Sequence, residues 1–327
     1  MTYALDIWYS PPILKEGAKK RTGSVRALKR LEKVQRIAAL AITGGLHTTP
    51  NDLLDAHAGL TPLQFMLDEI CHRNTTRICT LPGSNPLTHI ARRCVTRPSK
   101  KHLSNLQMLL ERYSLNPATI ETIRPPAFTS ADPLPLGTSI AETREDSMGE
   151  EREDDSRYKI YSDGSGQDGR VGAAAILMEA GNPTPTKMLQ FHLGTTAEHT
   201  TYEAEAVGAL LAMKIAKEVA SEAERRGETD LAISHYADNQ SVIKALHSRK
   251  SKPGQYLIDS YRRGAHNLPR EMNMKMGLRW ISAHSGVKGN EEVDKAAKEA
   301  VAGASSNRMD LPAILRKGLK ISRSALK

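Results

Sequence analysis

No stretch of this sequence approaches the ~20 apolar residues that a membrane-spanning helix needs, and its first residues lack the charged start and apolar run of a secretory signal. Cysteine is scarce. Cys71, Cys79 and Cys94 all fall in the first third; their spacing fits no zinc pattern, and an odd number argues against a disulfide framework. Free thiols in a reducing compartment follow. These absences exclude membrane and secreted classes and predict an intracellular protein with no membrane partner. Nothing chooses between nucleus and cytoplasm, because Lys19-Lys20-Arg21 and Lys29-Arg30 are too short to read as an import signal.

What is present is charge, unevenly spread. Residues 1–116 carry 17 Lys and Arg against 8 Asp and Glu, residues 117–157 carry 4 against 10, and residues 158–327 carry 25 against 19. Two basic segments separated by an acidic one suit a protein that binds a polyanion.

The chain divides accordingly. In residues 1–115, Leu28, Leu31, Val34, Ile37, Ala38, Ala41 and Ile42 recur at helical spacing and stop at Gly44-Gly45. Thr61-Pro62 opens another helix carrying Leu63, Met66, Leu67 and Ile70, so a small all-helical segment is expected. Residues 116–156 hold Pro117, Pro125, Pro126, Pro133 and Pro135, then Glu150, Glu151, Glu153, Asp154 and Asp155; this composition predicts a flexible linker. Residues 157–305 predict three strands in a meander, with a turn at Gly164-Ser165-Gly166 and Asp168-Gly169. A long helix (202–219), a strand (231–236), two helices (240–246 and 255–265), a last strand (278–282) and a closing helix capped by Asn290 follow. Strands followed by α-β alternation imply an α/β fold, a mixed sheet with helices on its faces. Residues 306–327 form a basic C-terminal tail.

Four acids fall at element ends. Asp163 closes the first strand in Tyr161-Ser162-Asp163-Gly164-Ser165, Glu205 lies near the start of the long helix, Asp238 follows the fourth strand, and Asp294 opens the last helix. His284 precedes Asp294 by ten residues in a Ser-Gly-Lys-Gly-type loop. Glu203 competes with Glu205, but two residues are ~200° apart on a helix and only one can face a site. Gly208, Ala209 and Ala212 follow Glu205 at helical spacing, a small-residue side that lets the helix lie close on the sheet; this favours Glu205.

This set resembles type 1 ribonuclease H, from Lys159 to about Ala302. The resemblance implies a five-stranded mixed sheet flanked by helices, and hydrolysis of the RNA strand of an RNA–DNA hybrid. It implies catalytic roles for Asp163, Glu205, Asp238, Asp294 and His284, the four acids being metal ligands. Clustered carboxylates repel and call for hard cations: two Mg²⁺ ions, with Mn²⁺ as a substitute, and no small-molecule cofactor. Asp163 is the candidate to bridge both ions, with Glu205 and Asp238 beside one and Asp294 beside the other; His284 would move a proton or assist product release. Gly164, Ser165, Thr201, Asn239 and Gln240 stand where they could reach sugars or phosphates, and Arg249, Lys250, Lys252, Arg262, Arg263, Arg270 and Lys275 could grip the DNA strand.

Residues 1–90, with Leu31-Glu32-Lys33-Val34-Gln35-Arg36, Ile42-Thr43-Gly44-Gly45 and Gly59-Leu60-Thr61-Pro62-Leu63, resemble the tail of the reverse transcriptase region of non-LTR retrotransposon polyproteins. That resemblance makes the rest of such a polyprotein a partner and leaves an inactive, nucleic-acid-binding remnant as the alternative to an enzyme. Tyr236-Ala237-Asp238-Asn239 mimics a polymerase Tyr-x-Asp-Asp hairpin but runs into a helical segment, so polymerase activity is rejected. Integrases and transposases share the sheet topology but work with three acids, whereas the His284 loop with Asp294 favours ribonuclease H.

Overall fold

Helical periodicity and glycine stops shape the first part of the chain, and buried strands shape the second. The computed structural model describes residues 4–326 apart from positions 15, 18, 100, 102, 129–132, 249 and 269–272. It contains two compact units, Met1–Thr122 and Ile123–Lys327.

The first unit is helical: α1 (Leu5–Trp8), α2 (Val25–Thr43), α3 (Asn51–Ala58), α4 (Leu63–Cys79), α5 (Pro86–Thr96) and α6 (Asn105–Arg112). Gly44, at φ 65°, ends α2 in the left-handed conformation that a side chain resists. Asn85 and Ser104 cap α5 and α6 by accepting from Leu87 and Gln107 N–H. Leu5, Tyr9, Leu28, Leu67, Cys71 and Leu109 form its core. Cys71, Cys79 and Cys94 are free thiols.

The second unit runs β1 (Gly137–Ser139), α7 (Arg144–Glu153), β2 (Tyr158–Gln167), β3 (Arg170–Glu179), β4 (Lys187–Thr195), α8 (Thr201–Arg225), β5 (Asp230–Ala237), α9 (Gln240–Leu246), α10 (Gln255–His266), β6 (Asn273–Trp280) and α11 (Lys288–Val301). The sheet order is β1-β6-β5-β2-β3-β4. β1, β6, β5 and β2 are parallel, while β2, β3 and β4 are antiparallel. The five expected strands are therefore present and a sixth, β1, joins them beside β6. Alternate residues of β2 face opposite ways: Ile160 enters the core under α8, and Tyr161 enters the smaller core under α11.

Several sequence expectations meet a different local structure. Residues 116–156 carry β1 and α7 rather than an uninterrupted flexible linker. The β2–β3 reversal is at Asp168-Gly169, both at positive φ (50° and 72°), which a two-residue hairpin requires. Gly164 and Ser165 therefore lie within β2, paired with Ala173 and Gly172, and not in a turn. The last strand begins at Asn273, five residues before the predicted start. Helix α11 starts at Lys288 with Val287 as N-cap, so Asn290 is buried inside the helix and caps nothing. Beyond α11 the chain does not trail away. Leu311 and Leu315 are buried in the larger core, and Ser322 N–H donates to the Glu198 carbonyl at 2.7 Å. Along the outer edge of β4, Ser305 and Ser306 hydroxyls accept from His192 and Gln190 N–H at 2.8 and 2.9 Å, and Ser306 N–H returns a bond to the Gln190 carbonyl at 2.9 Å.

Candidate active site

Register alone brings two of the acids together. Ser162 pairs with Ala237 across the parallel β2–β5 ladder, so Asp163 and Asp238 are the next residues on adjacent strands. Trp280 Nε1 fixes the second by donating to the Asp238 carbonyl at 2.9 Å. The third arrives with α8. A Cβ on Gly208 would stand 2.8 Å from the Asp163 carbonyl oxygen, and one on Gly164 would collide with the backbone at Ala204 and Glu205. The helix backbone thus lies directly on β2, as the small-residue side predicts, and carboxylate oxygens of Asp163, Glu205 and Asp238 lie within 4.8 Å of one another. Glu203 faces elsewhere: it completes a capping box with Thr200, accepting from Thr200 N–H at 3.0 Å.

Crowding sets the electrostatics. Burial, then the charges of Asp238 and Asp294, pushes Asp163 up to about 7 despite a 2.8 Å hydrogen bond from Gly164 N–H. Glu205 is raised by burial and by Asp238 and Asp163; Asp238 is raised by burial and by Asp294. Oδ1 of Asp238 is buried without a donor in hydrogen-bond geometry among the described residues. Buried, mutually repelling oxygens with one left unsatisfied fit a hard divalent cation, which would replace the missing donors with charge.

Asp294 lies at the seventh residue of α11, two turns into the helix rather than at its opening, and its Oδ2 accepts from Lys298 Nζ at 2.7 Å. It forms a second group with His284 and Glu291, ligand atoms again within 4.8 Å of one another. His284 is exposed and holds φ 50°. Its loop turns back onto α11 through Gly286 N–H, which donates to Glu291 Oε1 at 3.2 Å.

The predicted nucleic-acid contacts divide. Thr201 is the first residue of α8, exposed, with its methyl beside Gly166. Asn239 caps α9 by accepting from Ser241 N–H at 2.8 Å and lies against Glu205. Gln240 accepts from Lys244 at 2.8 Å, and Gly164 and Ser165 border Asp163 on β2. Among the basic residues, Lys250, Lys252 and Arg263 are exposed. Arg262 instead donates to the Leu246 carbonyl at 2.5 Å and covers the Phe128 ring, while Lys275 on β6 lines a cleft together with the acidic residues Glu150 and Asp154. Arg249 and Arg270 lie outside the described residues. Tyr236 sits on a central parallel strand that leads into α9, which is not a polymerase hairpin.

Sequence reasoning missed Arg144, whose Nη2 donates to the His284 carbonyl at 2.5 Å, and Ser147, whose Oγ accepts from Ser282 N–H at 3.2 Å. Both were hidden in the acidic stretch. A signal was available in Thr143-Arg144-Glu145-Asp146, a capping box that announces a helix. Lys298, one helical turn beyond Asp294, was also missed.

No helix among the described residues is long and apolar enough to cross a membrane. No curated protein matches the chain. Among solved structures, the chain is similar to ribonuclease H1 from the halophilic archaeon Halobacterium salinarum NRC-1 (19% identity, TM-score 0.32, covering 45% of this chain and 99% of that one). It is similar also to the N-terminal RNase H domain of rv2228c from Mycobacterium tuberculosis (19% identity, TM-score 0.32, 44% and 98%). A third is LC11-RNase H1 in complex with an RNA/DNA hybrid (14% identity, TM-score 0.34, 44% and 96%). The segment that carries Asp163, Glu205, Asp238, His284 and Asp294, residues 155–302, matches the RNase H family model.

Proposed function

We propose that this chain is an endonuclease that hydrolyses the RNA strand of RNA–DNA hybrids at the Asp163, Glu205, Asp238 and Asp294 cluster. The observation that carries the reading is the gathering of one buried and two half-buried carboxylates, Asp163 of β2, Glu205 of α8 and Asp238 at the end of β5, with Asp294 close enough to raise two of them. The family match over residues 155–302 supports it.

Asp163, Glu205 and Asp238 would hold one Mg²⁺, and Asp163 with Asp294 a second, with Mn²⁺ as a substitute. When bound, such ions supply a water nucleophile active at neutral pH and charge stabilisation for the departing 3′ oxygen. The chain's own residues would do the rest. Close packing of α8 on β2 keeps Glu205 beside Asp163; Asp294 would exchange Lys298 for a cation; His284, exposed beside Asp294, would take or give a proton during cleavage. Gly164 and Ser165, which follow Asp163 on β2, Asn239, which lies against Glu205, and Thr201 and Gln240 would contact sugars and phosphates. The resemblance of residues 1–90 to a reverse transcriptase tail adds that the chain works in a retrotransposon setting, with the remainder of such a polyprotein as partner.

Asp163→Asn removes the central charge at nearly constant volume and is expected to abolish cleavage of a labelled RNA–DNA hybrid in Mg²⁺ while leaving the protein folded. Full activity in the variant sinks the site assignment. Binding without cleavage by the wild type, with Mn²⁺ also tried, selects the inactive nucleic-acid-binding remnant.

A further inference from the structure

We propose that α7 positions the His284 loop for catalysis, so that a helix outside residues 155–302 belongs to the working apparatus of the site; the inference rests on the nuclease reading above. Two hydrogen bonds join α7 to the loop. Arg144 Nη2 donates to the His284 carbonyl at 2.5 Å, and Ser147 Oγ accepts from Ser282 N–H at 3.2 Å. Ser147 is completely buried and donates its own proton to the Arg144 carbonyl at 2.7 Å, which ties the two contacts into one unit.

The loop has something to hold. His284 has φ 50°, a left-handed backbone that residues with a side chain rarely adopt. Such a conformation persists where its surroundings over-determine it, and a guanidinium on the same residue's carbonyl is that kind of constraint. The contact is to backbone, so it leaves the imidazole free beside Glu291 and Asp294.

The anchor is itself fixed. The Thr143–Asp146 capping box starts α7. Farther along, Glu151 accepts from Tyr161 Oη at 2.6 Å and from Lys159 Nζ at 3.0 Å, and Asp154 accepts from Tyr236 Oη at 2.6 Å. Tyr161 lies two residues before Asp163 and Tyr236 two before Asp238. The helix therefore takes its position from the same two strands that carry the central acids, and transmits it to the loop.

The test uses the full chain as wild type, Arg144→Ala, Arg144→Lys, His284→Ala and the Arg144→Ala/His284→Ala double variant. Hydrogen exchange is measured across residues 282–287, together with kcat and KM on an RNA–DNA hybrid in Mg²⁺. Loss of one charge-assisted bond in Arg144→Ala is expected to speed loop exchange about tenfold, with β2 and β5 unchanged, and to lower kcat about tenfold with KM within about twofold. Arg144→Lys, which keeps a charged donor, should recover part of both. In the His284→Ala background Arg144→Ala should cost nothing further, since coupled residues are not additive. Unchanged exchange in Arg144→Ala, or kcat losses that simply add, overturns the proposal. If the wild type cuts no hybrid in Mg²⁺ or Mn²⁺, the nuclease reading fails by itself, and exchange alone decides whether α7 holds the loop.

Discussion

Helices α8 and α7 both serve the site, and they are held by opposite means. α8 lies on β2 backbone to backbone, through its own Gly208 and Gly164 of the strand, with Ala204, Val207, Leu211 and Ala212 buried beside them. α7 contributes almost no apolar surface and is attached by hydroxyl and amino groups to carboxylates. Close packing has no slack, so Glu205 is delivered to one place whether or not that place is electrostatically comfortable. The exposed Arg144–His284 hydrogen bond can open and re-form while the buried Ser147–Ser282 bond holds the loop's base, so the His284 loop is tethered rather than clamped. The chain places the acids that must not move by packing, and the histidine that must respond to each substrate by polar bonds.

The largest expected effect tests the discomfort. Asp163 has a folded pKa of about 7, above its ordinary value. A carboxyl raised in this way contributes fully below about pH 4 and loses that contribution as pH rises through the folded value, on the order of 4 kcal/mol. In the presence of a chelator, stability followed by urea unfolding should fall between pH 5 and pH 8, and Mg²⁺ or Mn²⁺ should restore it most at the alkaline end. A flat profile would mean that α8 yields and lets the acids separate. Next is the packing itself. Gly164→Ala forces a methyl group into the Glu205 backbone and should cost about 3 kcal/mol in urea unfolding, with loss of hybrid cleavage. An unperturbed variant would show that α8 is not tightly seated. The smallest effect concerns α7. Tyr236→Phe removes one donor from Asp154, which is pushed up by burial but drawn down to about 2 by hydrogen bonds from Ser234, Tyr236 and Ser156. The loss should be about 1 kcal/mol. Because a lowered carboxyl contributes above about pH 4 and loses that contribution as pH falls through 2, the gap between variant and wild type should narrow from pH 4 downward. A gap of several kcal/mol at pH 7 would put α7 on the same footing as α8.

Legibility in the sequence follows the same division. Asp163 and Asp238 stand out as acids at the ends of apolar runs, and the small residues after Glu205 distinguish it from Glu203, because close packing leaves a local compositional trace. The glycine at position 164 was visible but its purpose was not. It reads as a turn residue, whereas it makes room for a helix 40 residues later in the chain. Beyond its capping box, helix α7 leaves little trace in the sequence, for a physical reason. Its residues Glu145, Asp146, Glu150, Glu151 and Glu153 show no apolar period, and Tyr236, which anchors its C-terminal end, lies 82 residues away in sequence. Strand β1, Gly-Thr-Ser, carries no side-chain signal at all; it is held by backbone pairing with Gly277, Leu278 and Arg279.

The five strands within residues 155–302 are flanked on both sides by segments beyond that stretch: Gly137–Ser139 pairs along β6, and Ser305-Ser306 bonds to part of the edge of β4. An open strand edge is a row of unmet donors and acceptors that recruits other chains. A protein trimmed to the recognisable catalytic region would bare both rows at once and should polymerise edge to edge, so the flanks act as selvedges that keep the fabric from fraying into its neighbours.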